Sequence, residues 1–312
     1  IKVYTGSKLP NGTKAVIVQE DIKELNNNLL FHKEKKVISG QYIRKEGIDF
    51  LKNQIIIPKR KTVTSRDIGL LLSANILKIK VYKKPNIALL ATGDELTYPG
   101  KIRKEGSIYA SSLYMLESLI KLSLSKCNYK ALVEDDIKKI KDQFQKAKKS
   151  DIIITTGGVS VGKKDLIRKS LKELGFKEKF WKVEMKPGKP LLFGLLDNKP
   201  VFSLPGNPVS SYVCYNIFIL PFIYQIFKMK KNLVMKNAIL LNTINISSTR
   251  ESYLRANFYN RNNTNFVRFI SNQDSSLLKN LTNSNCLIKL SKKAKKKVKG
   301  SIVKILIYPD LF

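Results

Sequence analysis

The stretch Ser150–Asp165 reads SDIIITTGGVSVGKKD. The run Ile152–Thr156 is built from β-branched residues alone, which predicts a buried strand. The chain then turns on Gly157-Gly158 and resumes with charge at Lys163, Lys164 and Asp165. Such a loop is either a tight turn or a cradle for an anion. Glycines let backbone amides approach a phosphate, and the N-terminus of a following helix adds a favourable dipole.

Outward from this strand, strands and helices alternate. NIALLATGDEL (Asn86–Leu96) is a strand entering a loop. IYASSLYMLESLI predicts a helix with Leu113, Leu116, Leu119 and Ile120 on one face. KALV is a short strand, and DDIKKIKDQFQKAKK an amphipathic helix through Ile137, Ile140 and Phe144. KDLIRKSLKELGF predicts a helix that packs Leu166, Ile167, Leu171 and Leu174 inward and stops at Gly175. FWKVEMKPGKPLLFG and PVFSLPGNP add strands and loops. SSYVCYNIFILPFIYQIF is a strongly apolar helix in which Pro221 is expected to produce a kink. The expected fold class is therefore α/β, with a central three-layer domain and a mostly parallel sheet over 85–229.

The flanks read differently. IKVYTG, KAVIVQED and KVISGQYIR predict short strands of a small β subdomain over 1–49. Residues 50–84 read as the remnant of a linker or helical domain. Its helix is capped by Ser65 or Thr64 and carries Ile68, Leu71 and Leu72. After 229 short strands return (NAILLNTINIS, SYLRANFY, NFVRFI, CLIKL, SIVKILIYP), predicting a small β-barrel-like domain over 230–312. The chain opens on Ile1 and directly on strand-like sequence, so an N-terminal portion is expected to be missing.

Composition narrows the function classes. The 312 residues suit two to four domains, and 43% hydrophobic content supports a sizeable core. The formal charge is +34, from 58 Lys+Arg against 24 Asp+Glu. That suits polyanions, phosphorylated ligands or anionic membranes, but composition drift is preferred to a dedicated nucleic-acid surface, since lysine, asparagine and isoleucine are abundant in every region. The lysines are spread along the chain, with one dense run, KKAKKKVKG (Lys292–Gly300), and no aromatic–basic interleaving, so no nucleic-acid partner is expected. A single histidine, His32, excludes a His-based triad or a multi-His metal site. Cys127, Cys214 and Cys286 show no CxxC spacing and read as reduced thiols of a cytoplasmic protein. No signal peptide is visible and no apolar run approaches membrane-span length, so no membrane partner is expected.

Three segments share one design: an apolar strand, a glycine loop and a helix start. They are LLATGDEL (Leu89–Leu96), IIITTGGVSVGKKD (Ile152–Asp165) and VFSLPGNPVS (Val201–Ser210). In open α/β sheets ligands bind beyond the carboxyl ends of the strands, so adjacent glycine loops point to one crevice. Asp94, Glu95 and Asp165 lie at strand ends or helix starts. They are either helix caps or ligands for Mg²⁺, a hard cation held by one or two carboxylates and substrate phosphates. Lys186-Pro187-Gly188-Lys189-Pro190 holds two lysines on a stiff, tightly bent loop, which favours a multiply charged anion, a phosphate or an oxyanion, over a plain basic turn. Asn207-Pro208 can cap a helix with proline at its first position, with ligand lining as a second role.

Together these segments resemble the molybdopterin molybdenumtransferase family, which includes the C-terminal domain of gephyrin. YTGSKLPNGTKAVIVQED (Tyr4–Asp21) is similar to the family's TGAPLPxGADAVVxxE segment, and SGQYIRKEGIDF (Ser39–Phe50) to its GxNIRxxGEDI segment. ATGDEL, GSIYASS, TTGGVSVGKKD, FWKVEMKPGKP and LPGNPVS follow in the family's order, and TRESYLRANF resembles its GRxxFxR stretch. The ordered set is far more specific than a lone TGGxS motif.

The resemblance implies that adenylylated molybdopterin binds in the crevice, molybdate is inserted at the dithiolene and AMP is released in a Mg²⁺-dependent step. By motif position it implies catalytic roles for Glu95, Asp165, Asp49 and Asp136, with Glu95 and Asp165 as metal ligands. Substrate contacts fall to Thr5, Thr92, Gly93, Gly157, Gly158, Ser160, Lys186, Lys189, Asn207, Arg250 and Ser275, the last two at the molybdate pocket. It also implies a homodimer in which Thr5 and Asp49 act across the interface. Two positions depart from the family pattern. Tyr109-Ala110-Ser111-Ser112 stands where the family has Tyr-Asp-(Ser/Thr)-Asn, so a crevice carboxylate or a helix cap is lost. Asp274 replaces the family's glycine before the serine and puts negative charge beside the implied molybdate pocket. The alternatives are the molybdopterin adenylyltransferase of the same pathway, which shares the α/β domain but not the flanks, and a non-catalytic scaffold of this fold.

Overall fold

A computed structural model describes residues 1–25, 28–31, 36–158, 165–229, 233, 235–245, 248–294 and 296–308. Ser160, Lys163 and Lys164 lie outside the described residues. The chain forms two compact units, Ile1–Ile79 and Lys80–Phe312.

The first unit holds a hairpin of β1 (Ile22–Leu25) and β2 (Asn28–Phe31) and one helix, α1 (Ser65–Ser73). The three strands expected in IKVYTG, KAVIVQED and KVISGQYIR do not form. Their backbone makes only isolated bonds, such as Gly40 N to Lys14 O at 2.7 Å and Val16 N to Gln41 O at 3.0 Å. The physical reason is that few apolar side chains here find a buried face, so nothing fixes a regular ladder. Helix α1 starts at Thr64 in a reciprocal capping box: Thr64 Oγ1 accepts from Asp67 N, and Asp67 Oδ2 accepts from Thr64 N at 2.8 Å. Leu71 is buried, whereas Ile68 and Leu72 stay exposed.

In the second unit, the α/β elements are β3 (Asn86–Thr92), β4 (Leu96–Thr97), β5 (Ile108–Tyr109), α2 (Ser111–Leu122), β6 (Lys126–Val133), α3 (Ile137–Ala147), β7 (Ile152–Thr156), α4 (Leu166–Glu173), β8 (Lys177–Trp181), β9 (Met185–Lys186), β10 (Leu192–Leu196) and β11 (Lys199–Leu204). The main sheet runs β6-β3-β7-β11-β10-β8. Strands β6, β3, β7 and β11 are mutually parallel, and β10 is antiparallel to both its neighbours. Side-chain alternation on β3 explains the three layers. Ile87, Leu89 and Ala91 face one helix layer with Leu113, Leu116 and Ile120. Ala88 and Leu90 face the other, with Ile140, Phe144, Ile167 and Leu171. Helix α4 ends as its sequence predicts: Gly175 has φ +81°, its N–H bonds Lys172 O, and Phe176 N bonds Leu171 O, both orphan carbonyls of the last turn.

The apolar segment after Asn207 is α5 (Pro208–Cys214), a π-turn over Tyr215–Ile219, and α6 (Leu220–Ile226). Pro221 has no N–H to offer the preceding turn, and the wider π-turn absorbs that loss without ending the helix. At 19 residues, Pro208–Ile226 is long and apolar enough to cross a membrane, which corrects the expectation that no run approaches that length. Its buried residues, among them Val213, Tyr215, Ile219 and Ile223, pack against the sheet in the manner of a core helix.

The last region is β12 (Met235–Leu240), β13 (Glu251–Arg261), β14 (Thr264–Phe269), α7 (Leu278–Thr282), β15 (Cys286–Leu290) and β16 (Ile302–Ile307). The order β14-β12-β16-β15-β13, with β13 pairing back to β14, closes a barrel. Its interior holds Leu240, Leu254, Ala256, Val267, Ile288 and Ile305. Strand β9 leaves the α/β domain to pair with the start of β13, Met185 opposite Glu251 and Lys186 opposite Ser252. That pairing brings the lysine–proline loop to the barrel.

Candidate functional site

The loops at the carboxyl ends of β3, β7 and β11 pack on one another, and their glycines are required for that contact. A Cβ on Gly157 (φ +85°) would sit 2.2 Å from the Thr92 carbonyl oxygen. One on Gly158 (φ +63°) would sit 2.5 Å from Thr92 Oγ1. Thr156 Oγ1 donates to Pro205 O at 3.0 Å, which ties the β7 loop to the β11 loop. Thr92, Gly157 and Gly158 are therefore brought together, and the paired glycines are first a packing device. Thr92 Oγ1 is buried without a hydrogen-bond partner among the described residues.

Two cavities flank these loops. The first, of about 490 Å³, is walled by Lys186–Pro190, by Val209 and Ser210 at the start of α5, and by Arg250, Arg255 and Gln273–Ser275 of the barrel. Lys186, Lys189, Arg250 and Ser275, singled out separately in the sequence, thus share one wall. Gly188 (φ +113°) allows the loop's close approach to the helix, because a Cβ there would meet Cys214 Sγ at 2.6 Å. Arg250 donates to Met185 O at 3.4 Å. Asn207 precedes α5 but makes no side-chain cap; its amide instead donates to Ser275 Oγ at 2.8 Å. Asp274 also lines this cavity. Its Oδ1 accepts from Ser276 N at 2.8 Å and from Ser276 Oγ at 2.7 Å. The backbone bond from Ser276, followed by the hydroxyl bond, holds this carboxyl below the usual aspartate range. The negative charge is present, but cations outnumber it on the same wall.

The second cavity, of about 550 Å³, lies beyond β3 and is lined by Gly93–Tyr98, Lys104–Ser107 and Leu132–Glu134. Glu95 folds back over Gly93, whose missing Cβ would lie 2.6 Å from both carboxylate oxygens. Asp94 Oδ1 accepts from Asp135 N at 2.9 Å, which fixes the loop after β6. Asp136 lies just outside this cavity and caps α3 by accepting from Lys139 N at 2.8 Å.

Asp165 belongs to neither cavity wall. Its Oδ1 caps α4 by accepting from Arg168 N at 3.0 Å, while Oδ2 is buried without a partner among the described residues. Burial, only partly offset by that backbone bond and by Arg168, pushes its carboxyl up. Thr5 and Asp49 are exposed in the first unit, Thr5 within the turn closed by Ser7 N to Tyr4 O at 2.9 Å. Ala110 stands at the cap position of α2 and supplies no side-chain cap.

Arg255 escaped the sequence reading. It is 1% exposed and its side chain makes every one of its described hydrogen bonds to the segment Asn272–Leu277. The available signal was the second arginine of TRESYLRANF, five positions after Arg250.

Three family models match consecutive parts of the chain: the MoeA N-terminal region (domain I and II) over residues 1–75, a probable molybdopterin binding domain over 88–225, and the MoeA C-terminal region (domain IV) over 237–308. The molybdopterin molybdenumtransferase of Haemophilus influenzae is 31% identical over 93% of this chain, which spans 72% of that protein. Gephyrin of Dictyostelium discoideum is 33% identical over 99% of this chain, which spans 48% of it. Among solved structures, a molybdopterin biosynthesis MoeA protein from Pyrococcus horikoshii matches with a TM-score of 0.78 at 27% identity, covering 99% of this chain and 75% of that one. With the barrel, the crevice loops and both flanking regions matched, the chain belongs to the molybdopterin molybdenumtransferase family.

Proposed function

We propose that this protein inserts molybdate into adenylylated molybdopterin and releases AMP, yielding molybdenum cofactor. The observation that carries the reading is the convergence of Lys186, Lys189, Arg250 and Ser275 on one cavity of about 490 Å³. Cations on a stiff loop, with a hydroxyl lining the same cavity, suit a tetrahedral dianion that must be held while its charge is redistributed. The crevice loops carrying Thr92, Gly93, Gly157 and Gly158 would take the pterin nucleotide. Asn207, bonded to Ser275, connects that crevice to the oxyanion cavity.

Mg²⁺ belongs to this reading. Among the described residues no group of three or more His, Cys, Asp or Glu is placed to hold a metal. An ion held by one or two carboxylates and substrate phosphates needs no such group. Asp165 fits it best, because Oδ2 is buried without a partner among the described residues and a cation would offset the cost of burying its charge. Glu95 is the second proposed ligand. Bound Mg²⁺ would neutralise phosphate charge during release of AMP. Asp136 and Asp49 are assigned only supporting roles around the nucleotide.

A homodimer also belongs to the proposal. Tyr4, Ile38, Tyr42, Ile48, Leu51 and Ile55 of the first unit are exposed apolar side chains. A second copy is the occupant we propose, with Thr5 and Asp49 reaching its crevice. A cytoplasmic location accords with the free cysteines.

The test is AMP release from adenylylated molybdopterin by the purified protein with Mg²⁺, with and without molybdate. Molybdate-dependent AMP release is expected. Release that ignores molybdate, or none from folded protein, overturns the assignment.

A further inference from the structure

Arg255 is a buried cation without a buried anion. Its guanidinium donates to Gln273 Oε1 at 3.4 Å, Leu277 O at 3.1 Å, Asn272 O at 3.3 Å and Asp274 O at 2.8 Å. All four acceptors are neutral. Among the described residues no carboxylate lies within ion-pair distance of it. Asp274, whose charge acts favourably on it, points its carboxylate at Ser276 instead. Burial accordingly pulls the guanidinium below its ordinary range. Buried charges are ordinarily paired, and one left unpaired is costly. Arg255 is also part of the wall of the cavity that holds Lys186, Lys189, Arg250 and Ser275.

The same side chain fixes the loop. The acceptors Asn272, Gln273, Asp274 and Leu277 bracket Ser275 on both sides. In return Gln273 Nε2 donates to Arg255 O at 3.0 Å, and Gln273 Oε1 accepts from Arg255 N at 2.9 Å. A guanidinium presents its donors in a fixed fork, so one residue can pin several carbonyls at once. The peptide groups it binds are thereby oriented with their oxygens on the cation.

We infer that Arg255 is a positioning residue for oxyanion binding: its buried charge finds its counter-ion in the dianion that enters the cavity, and its fork holds the 272–277 loop so that Ser275 faces that dianion. This rests on the cavity being the oxyanion site proposed above. Without a bound anion this cation is only partly compensated, by the Asp274 charge, and an arriving dianion offsets the rest.

The experiment is equilibrium dialysis with sodium molybdate on the unsubstituted protein, R255Q and R255K, each melted in parallel. Gln keeps hydrogen-bonding capacity without charge; Lys keeps charge without the fork. Molybdate affinity is expected to fall at least about tenfold in R255Q, which loses both charge and fork, and to an intermediate degree in R255K, which loses the fork alone. Equal affinities in R255Q and the unsubstituted protein, or equal weakening in both variants, overturn the inference and leave the oxyanion site standing. Absence of molybdate binding by the unsubstituted protein overturns the site itself and this inference with it. Should the substitutions prevent folding, hydrogen exchange on the unsubstituted protein decides: molybdate is expected to slow exchange of amides 273–277, and bound molybdate without protection there overturns the inference.

Discussion

Asn207 donates its side-chain amide to the Ser275 hydroxyl at 2.8 Å, joining the loop after β11 to the barrel. The residues stand 68 positions apart in the chain. Asn207→Ala frees the hydroxyl to rotate away from the cavity. Molybdate-dependent kcat/KM is expected to fall about tenfold, equivalent to one net hydrogen bond of about 1.4 kcal/mol. Because Asn207 is exposed, the melting temperature is expected to hold. A large loss of stability with unchanged kcat/KM would contradict this role.

Lys186 and Lys189 line the same cavity from one loop. The double substitution Lys186→Ala, Lys189→Ala is expected to abolish molybdate-dependent AMP release while leaving the circular dichroism spectrum unchanged. Normal turnover by the double variant would refute an oxyanion role for the loop.

Gly157 and Gly175 share a left-handed backbone but not their surroundings. A Cβ on Gly157 would strike the Thr92 backbone at 2.2 Å, whereas nothing lies within 4 Å of one on Gly175. Gly175→Ala is expected to cost about 1 kcal/mol, the backbone penalty alone. Gly157→Ala is expected to cost about 3 kcal/mol or more, because β7 must part from β3. Urea melts of the two variants give the comparison.

Ala110 and Asp165 hold nearly the same backbone conformation at the starts of their helices, φ −70°, ψ 54° and φ −81°, ψ 67°. Asp165 accepts from the third amide of its helix; Ala110 offers no acceptor. Leu113 N already bonds Ala110 O at 3.2 Å, so Ala110→Ser, small enough for this buried site, is expected to stabilise the protein by about 0.5–1 kcal/mol through Ser112 N. An unchanged urea midpoint would show the cap has not formed.

Burial pushes the folded-state carboxyl of Asp165 above its ordinary value. A raised acid favours the folded state when protonated. The stability it gives is fully present below the unfolded value and is lost as pH rises through the folded value. Asp165→Asn keeps the cap through its amide oxygen and removes the buried charge. It is expected to raise stability at pH 7, with the gain vanishing near pH 3. Because Asp165 is the proposed Mg²⁺ ligand, the same variant is expected to lose Mg²⁺-dependent AMP release.

Much of this was legible in the chain. The apolar run Ile152–Thr156, the one-faced leucines of α2 and the Gly175 stop fixed the α/β layers, because strand and helix periods follow from local geometry. The five C-terminal strands were readable for the same reason, although their closure into a barrel was not. The strands expected before residue 50 failed, because a strand is decided by what covers it. Lys186, Lys189, Arg250 and Ser275 could be named one by one from motifs. Only the tertiary structure put them on one cavity, through the pairing of β9 with β13. Arg255 was invisible as a buried cation, since burial is a property of neighbours far off in sequence. Sequence by itself determined the elements and the residue types able to hold an anion, which local periodicity and chemistry encode. Tertiary structure decided which of them face each other, because that depends on long-range packing of loops whose own sequences allow many conformations.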